Sequence, residues 1–240
     1  MVAVEQNMFI YWVKIPTGLS STQIQDRLDL LDDEELAIYA SYKVDFKKVE
    51  FLVGRCLAKM ALGQLLHVQP SDISFSKNEF GKLFVKNQSG PPYFNLSHTD
   101  GMVVCAVSAS GEMGIDVEKT LNDYFDLMKY VYVPEEIDWV NAKCDVSTKL
   151  YAFYQLWTRK EAVMKAVGKG FSLPPLSFSI PFHEEQACDH EFYYYTFEPM
   201  TGYLISVATR RLSEQHQTYE VREVQFAELL AGQAEFINLF

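Results

Sequence analysis

Asp116 and Glu118 stand two positions apart in MGIDVEK, and Glu161 and Lys165 stand four apart in LWTRKEAVMKAVGKG. The side-chain period of a strand is two, so both carboxylates of the first pair project from one face while Ile115 and Val117 turn into the core. Like charges that close repel unless a cation lies between them, and a hard divalent ion such as Mg²⁺ takes an oxygen-only site of this kind. A solvent-exposed strand gives the same D-x-E pattern, so the pair draws its meaning from its company. On a helix, Glu161 and Lys165 are neighbours on one ridge, with Trp157 a turn earlier. A surface ion pair also explains that spacing and is worth little. The same helix, however, carries Tyr151, Phe153, Tyr154 and Leu156, so much of its circumference reads as buried. A carboxylate there calls for a metal or a cation, and a lysine for a phosphate.

Ser97 and His98 are adjacent in FNLSH. Neighbouring strand residues point to opposite faces, which argues against a serine nucleophile with its base and for hydrogen-bond donors to a phosphate. A structural histidine at a strand end is the other reading. P-loop, dinucleotide-fingerprint and HExxH patterns are absent from the sequence.

Charge narrows the ligand. The chain carries 21 basic and 32 acidic residues for a net −11, which disfavours nucleic acid. Residues 41–90 run the other way, with eight basic side chains against four acids. A local positive patch on a negative protein suits a small anionic ligand, although a solvated helix face has the same composition. The 240 residues are 48% apolar and 14% aromatic, enough for a sizeable core. Cys56, Cys105, Cys144 and Cys188 lack metal or redox spacing and read as reduced thiols. Met8–Val13 is too short for a secretory core, and no stretch approaches the length that crosses a bilayer; the expectation is a soluble, cytoplasmic protein without membrane contact.

Punctuation and periodicity place these residues on elements. Met8–Ile15 reads as a strand, Asp26–Leu36 and Phe46–His67 as helices, and Ile73–Ser76 with Lys82–Val85 as a hairpin. Tyr93–Ser97 and Met102–Ser108 form a second hairpin, and Gly114–Glu118 one more strand. Helices follow at Leu121–Tyr130, Pro134–Lys143 and Ser147–Val167, then strands at Leu176–Pro181, Phe192–Glu198 and Tyr203–Arg210. The last twenty residues read as an acidic, partly apolar tail. HVQPSDISFS and GFSLPPLSFS each follow a long helix and run into strands, a faint internal echo. The expected fold class is α+β: two pseudo-symmetric lobes, residues 1–110 and 111–240, each a small, mostly antiparallel sheet packed on a long helix.

FGK at Phe80–Lys82, FNLSH at Phe94–His98, GIDVEK at Gly114–Lys119 and LWTRKEAVMKAVGKG at Leu156–Gly170 occur in one order. Together they resemble the 4′-phosphopantetheinyl transferases of the surfactin-synthetase-activating type, from about Phe75 to Pro181. The resemblance implies an active site in the cleft between two lobes, with coenzyme A as co-substrate. The phosphopantetheine arm passes to a serine of an apo acyl or peptidyl carrier protein, releasing adenosine 3′,5′-bisphosphate. It implies further that Asp116, Glu118 and Glu161 hold Mg²⁺, with Mn²⁺ as an alternative. Lys165 then contacts the coenzyme A phosphates, and Lys82, Ser97 and His98 add further phosphate contacts. Glu161 is the candidate base, directly or through a metal-bound water. A chain of this length is expected to carry both lobes itself and act as a monomer.

Two departures stand out. Leu83 replaces the family's usual proline after Gly81–Lys82, which should loosen the loop carrying Lys82. Asp32–Ala40, DDEELAIYA, is acidic where the family tends to place basic residues for the 3′-phosphate, leaving Lys43, Lys47, Lys48 and Arg55 as candidate substitutes. Tyr124, Phe125, Leu127, Met128, Tyr130 and Tyr132 mark either a carrier-docking surface or ordinary core. Two other functions fit the same acids: a Mg²⁺-dependent hydrolase of a nucleotide-like pyrophosphate, or a non-catalytic coenzyme A- or carrier-binding module.

Overall fold

The computed structural model describes residues 6–88, 90–109, 111–211 and 217–236. Of these, 6–78, 83–88, 90–109 and 217–236 form one compact unit, and 79–82 with 111–211 form another. The fold is α+β, and each unit sets one four-stranded sheet against one helix of 22 residues. Among the described residues no helix is long and apolar enough to cross a membrane.

In the first unit the strands are β1 (Gln6–Lys14), β4 (Tyr93–Thr99), β5 (Met102–Ser108) and β10 (Gln217–Glu223), in the order β10-β1-β5-β4. Helix α2 (Asp45–Leu66) lies on this sheet, its Gly54 facing Val103. Val49, Leu52, Val53, Cys56 and Leu57 pack into the same core as Phe9, Tyr11, Val13, Val103 and Cys105. Burial pushes the Cys56 thiol up to about 12, as befits a small apolar filler. The hairpin β2 (Phe75–Lys77) with β3 (Leu83–Val85) forms as expected.

Two expectations for this part of the chain are corrected. The helix expected over Asp26–Leu36 is broken: a 3-10 segment at Ser21–Leu30 precedes helix α1 at Asp33–Ser41. Asp32 makes the break, because its side chain accepts the Glu35 N–H at 2.9 Å and starts a new helix. The acidic tail is no tail. Strand β10 pairs in parallel with β1, Gln217 against Gln6 through Glu223 against Trp12. It is followed by α6 (Phe226–Ala231), and Val224, Leu229 and Phe236 are buried in the first unit's core. Residues 217–236 therefore belong with the first unit rather than with an expected second lobe of 111–240; the expected boundary residue, Ser110, lies outside the described residues.

The second unit's sheet is antiparallel throughout, in the order β6-β9-β8-β7, from β6 (Met113–Lys119), β9 (Tyr203–Arg210), β8 (Phe192–Phe197) and β7 (Gln186–Cys188). Helix α5 (Val146–Val167) packs on it. Asp145 caps the helix by accepting the Thr148 N–H at 2.9 Å, and Gly168 ends it at φ +73°, a left-handed position suited to glycine. The expected helix at Leu121–Tyr130 shrinks to a 3-10 turn, Phe125–Leu127, running into the four-residue α3 (Met128–Val131); α4 (Pro134–Asn141) follows. The strand expected at Leu176–Pro181 does not form either. Two of its carbonyls are taken by buried cations of α5: Lys160 Nζ donates to Phe178 O at 2.8 Å, and to Pro175 O just before the segment at 2.7 Å, and Arg159 Nη1 donates to Pro181 O at 2.7 Å.

Candidate functional site

The side chains that could do chemistry line up where α5 crosses β6. Four residues of helix rise about 6.0 Å and two residues of strand about 6.7 Å, so a ridge of every fourth helix residue keeps step with every second strand residue. Along the ridge lie Trp157, Glu161 and Lys165; along the strand, in the opposite direction, lie Glu118, Asp116 and Gly114. Trp157 Nε1 donates to Glu118 Oε1 at 3.2 Å, and Lys165 Nζ donates to Asp116 Oδ1 at 2.7 Å. Between Ala152 and Ala166 every helix residue is buried except Trp157, Glu161 and Lys165. Over that stretch the rest of the helix is packed.

Gly114 permits the approach. A Cβ there would lie 2.0 Å from Ala162 O, 2.5 Å from Ala166 N and 2.8 Å from Lys165 Cβ, so only a bare backbone lets β6 come so near α5. The helix cannot roll, because the residues beside the ridge are fixed. Thr158 Oγ1 and Ser206 Oγ lie 2.7 Å apart, Ser206 Oγ and Thr196 Oγ1 2.8 Å, and Arg159 Nε donates to Thr196 Oγ1 at 2.7 Å. Lys160 meets Glu136 at 2.8 Å with both side chains buried, and Glu136 in turn accepts the N–H groups of Val133 and Ile180. Sequence reasoning missed these anchors; the one signal for Arg159 and Lys160 is that they follow the aromatic and apolar run Tyr151–Trp157 on the same helix.

The carboxylates share one electrostatic problem. Burial, with the charges of Asp116 and Glu118 added, raises the Glu161 carboxyl to about 7, against the pull of Lys165. Asp116 is 4% exposed, while Ile115 and Val117 are buried on the opposite face of β6. Ile115 and Val117 are thus buried as expected, and the carboxylates on the other face meet the packed helix. Among the described residues no three His, Cys, Asp or Glu side chains are close enough together to hold a metal ion as they stand. The donor chemistry is that of a hard divalent cation's site: Asp116, Glu118 and Glu161 offer oxygen only, and the charges of the first two add to burial in raising the Glu161 carboxyl.

Lys82 joins this group from residues 79–82. Its Nζ donates to Ala166 O at 2.7 Å and to Met113 O at 3.4 Å, beside Lys165 and Gly114, and burial lowers its pKa while Glu112 opposes the shift. Leu83 therefore does not leave Lys82 loose, since two backbone carbonyls hold the ammonium. Residues 112–216 match the family described as the 4′-phosphopantetheinyl transferase superfamily. The 4′-phosphopantetheinyl transferase gsp of Aneurinibacillus migulanus is 36% identical over 175 residues, covering 73% of this chain and 72% of that protein. The 4′-phosphopantetheinyl transferase Sfp of Bacillus subtilis is 33% identical over 163 residues, covering 65% and 71%. HetI of Nostoc sp., a 4′-phosphopantetheinyl transferase by name, is 30% identical over 163 residues, covering 66% and 68%. The chain belongs to the 4′-phosphopantetheinyl transferase superfamily. Coenzyme A is the substrate of that family.

Ser97 and His98 lie on β4 in the first unit. They alternate as a strand requires, Ser97 buried and His98 exposed, and His98 Nδ1 lies 3.4 Å from Glu50 Oε2, which also pairs with Lys47 at 2.7 Å. Of the substitutes considered for the 3′-phosphate, Arg55 is withdrawn. It is buried on Glu35 at 2.7 Å, Lys59 meets the same carboxylate at 2.6 Å, and the Arg55 guanidinium lies over the Phe51 ring. An arginine closed into that triad is a staple between α1 and α2. The apolar segment after β6 divides as well: Met128 and Tyr132 are core, Phe125 packs on Phe153, and Leu121, Tyr124, Leu127 and Tyr130 are exposed.

Proposed function

We propose that this transferase moves the 4′-phosphopantetheine arm of coenzyme A to a serine hydroxyl of an apo acyl or peptidyl carrier protein, leaving adenosine 3′,5′-bisphosphate. The serine Oγ attacks the β-phosphorus, a new P–O bond forms, and the phosphoanhydride bond breaks with its electron pair going to the nucleotide phosphate. Such a transfer needs in-line placement and neutralised charge more than covalent help. The observation that carries this reading is the open ridge of α5: on a helix otherwise buried from Ala152 to Ala166, only Trp157, Glu161 and Lys165 emerge, facing the Asp116–Glu118 strand.

Each side chain has a task that its surroundings support. Glu161 is the candidate to take the serine proton, directly or through a water on the metal it would hold. Lys165 is the cation that steadies the pyrophosphate, and Lys82, Ser97 and His98 are further phosphate contacts, each expected to raise the KM for coenzyme A when changed to alanine. Lys43, Lys47 and Lys48 are the remaining candidates for the 3′-phosphate. Asp116, Glu118 and Glu161 would hold Mg²⁺, or Mn²⁺ in its place. When bound, that ion supplies neutralisation of the charge that builds on the bridging oxygens. The exposed Leu121, Tyr124, Leu127 and Tyr130 form the surface for the carrier, and the enzyme acts as a monomer.

The test is an incubation with coenzyme A, Mg²⁺ and an apo-carrier, read by intact-mass spectrometry. Transfer adds one phosphopantetheine to the carrier and releases one adenosine 3′,5′-bisphosphate. Cleavage of coenzyme A with an unchanged carrier would mean pyrophosphate hydrolysis instead, and binding without turnover a non-catalytic module.

A further inference from the structure

The ridge that carries Glu161 and Lys165 begins at Trp157, a residue without a part in the transfer described above. Its indole N–H donates to Glu118 Oε1 at 3.2 Å. The ring lies parallel to Phe153, with centroids 6.5 Å apart and planes inclined by 9°. Phe153 is in turn held edge-on by Tyr132 at 5.5 Å, Phe125 at 5.8 Å and Tyr154 at 5.3 Å. Tyr132 and Tyr154 are tied down by hydroxyl bonds to Phe153 O and Asn122 O. The indole therefore belongs to a rigid aromatic block and does not follow Glu118 when that side chain turns.

Glu118 gains more from such a hold than Asp116 does. It has one more rotatable bond than Asp116 and is less buried. An indole N–H donates and cannot accept, so it fixes one oxygen of the carboxylate without adding an acceptor of its own. It also adds no charge, unlike a lysine, and so does not compete with a cation for the site. Hydrogen bonds of this kind to ligand side chains set metal affinity, and their loss typically costs 10–100-fold.

We propose that Trp157 is a positioning residue that fixes the Glu118 carboxylate for a divalent cation. The inference rests on the reading of Asp116, Glu118 and Glu161 as the metal-holding side chains. Mn²⁺ binding to the purified full chain, followed by the loss of the free-ion electron paramagnetic resonance signal, tests it without any turnover. Trp157→Phe keeps an aromatic ring beside Phe153 and removes the N–H. Replacing Trp157 by β-(3-benzothienyl)alanine keeps the bicyclic shape and removes only the donor. Both changes are expected to weaken Mn²⁺ binding about 10-fold, while coenzyme A affinity measured in chelator stays at the wild-type value.

Wild-type Mn²⁺ affinity in both variants would overturn the proposal. So would an equal loss of Mn²⁺ and coenzyme A affinity in the benzothienyl variant, which would make the ring a packing group only. Glu118→Gln separates the two levels of the argument. If it binds Mn²⁺ as the wild type does, or the wild type takes up none, the carboxylate reading itself fails and the inference falls with it. If Glu118→Gln loses the ion and the Trp157 variants do not, the role of Trp157 alone is refuted.

Discussion

Changing Glu161 to Gln should abolish transfer and yet make the metal-free protein more stable, by an amount that depends on pH. The Glu161 carboxyl sits at about 7 in the folded protein against an ordinary 4.5, raised first by burial and then by Asp116 and Glu118. The folded state thus binds this proton more tightly than the unfolded chain does. Below about pH 4.5 both states keep the proton and no difference arises; as pH rises from there to about 7 the unfolded chain releases it first, and folding is penalised progressively; above about 7 the penalty is complete. At 1.36 kcal/mol for each unit the full penalty is about 3 kcal/mol, and partial solvent screening of a side chain that is not fully buried reduces this to about 2 kcal/mol. Glutamine cannot ionise and escapes the penalty. For a chain of this size that is a rise in Tm of about 4–8 °C. Thermal melts of wild type and Glu161→Gln in chelator, near pH 5 and near pH 8, read it directly. The variant should melt with the wild type at the lower pH and well above it at the higher. Added Mg²⁺ should then raise the wild type and leave the variant unmoved. Coincident melts at both pH values, or a variant less stable near pH 8, would refute a Glu161 carboxyl raised by burial and by its neighbours.

Other predictions follow from the same geometry. Gly114→Ala places a Cβ 2.0 Å from Ala162 O and should cost more than about 4 kcal/mol, read by denaturant unfolding or as loss of soluble protein. Lys160→Met leaves the buried Glu136 without its cation and should cost about 3–5 kcal/mol, whereas Lys160→Met with Glu136→Leu should recover a large part of that loss; equal losses would show that the ion pair is not the anchor. Tyr124→Glu and Tyr130→Glu, on the exposed face after β6, should raise the KM for the apo-carrier about 10-fold with the KM for coenzyme A unchanged. A rise in the KM for coenzyme A instead would detach that surface from carrier recognition.

The residues of the site were legible because two periodicities could be applied without knowing the fold. Strand spacing put Asp116 and Glu118 on one face, and helix spacing put Glu161 and Lys165 on one ridge. What spacing could not supply was which elements face one another. Gly114 decides that, but a glycine in a strand pattern reads only as a possible bulge or close approach. The failures have physical causes of the same kind. Leu176–Pro181 has the apolar content of a strand, yet Arg159 and Lys160 claim two of the carbonyls a ladder would need. The C-terminal segment looked like a tail because Glu220, Arg222 and Glu223 break up the apolar alternation of the part that forms β10, and the parallel pairing of β10 with β1 joins residues more than two hundred positions apart. Arg55 counted as free positive charge in the sequence because nothing local reveals that Glu35 will neutralise it.

The account stands on Asp116, Glu118 and Glu161 sharing one cation at the α5–β6 crossing. An anomalous difference map from crystals grown with coenzyme A and Mn²⁺ measures this most directly. One strong peak within coordination distance of all three carboxylates, with Lys165 turned from Asp116 toward the phosphates, is the predicted result. A peak held by other side chains, or carboxylates that remain apart around the bound nucleotide, would contradict it.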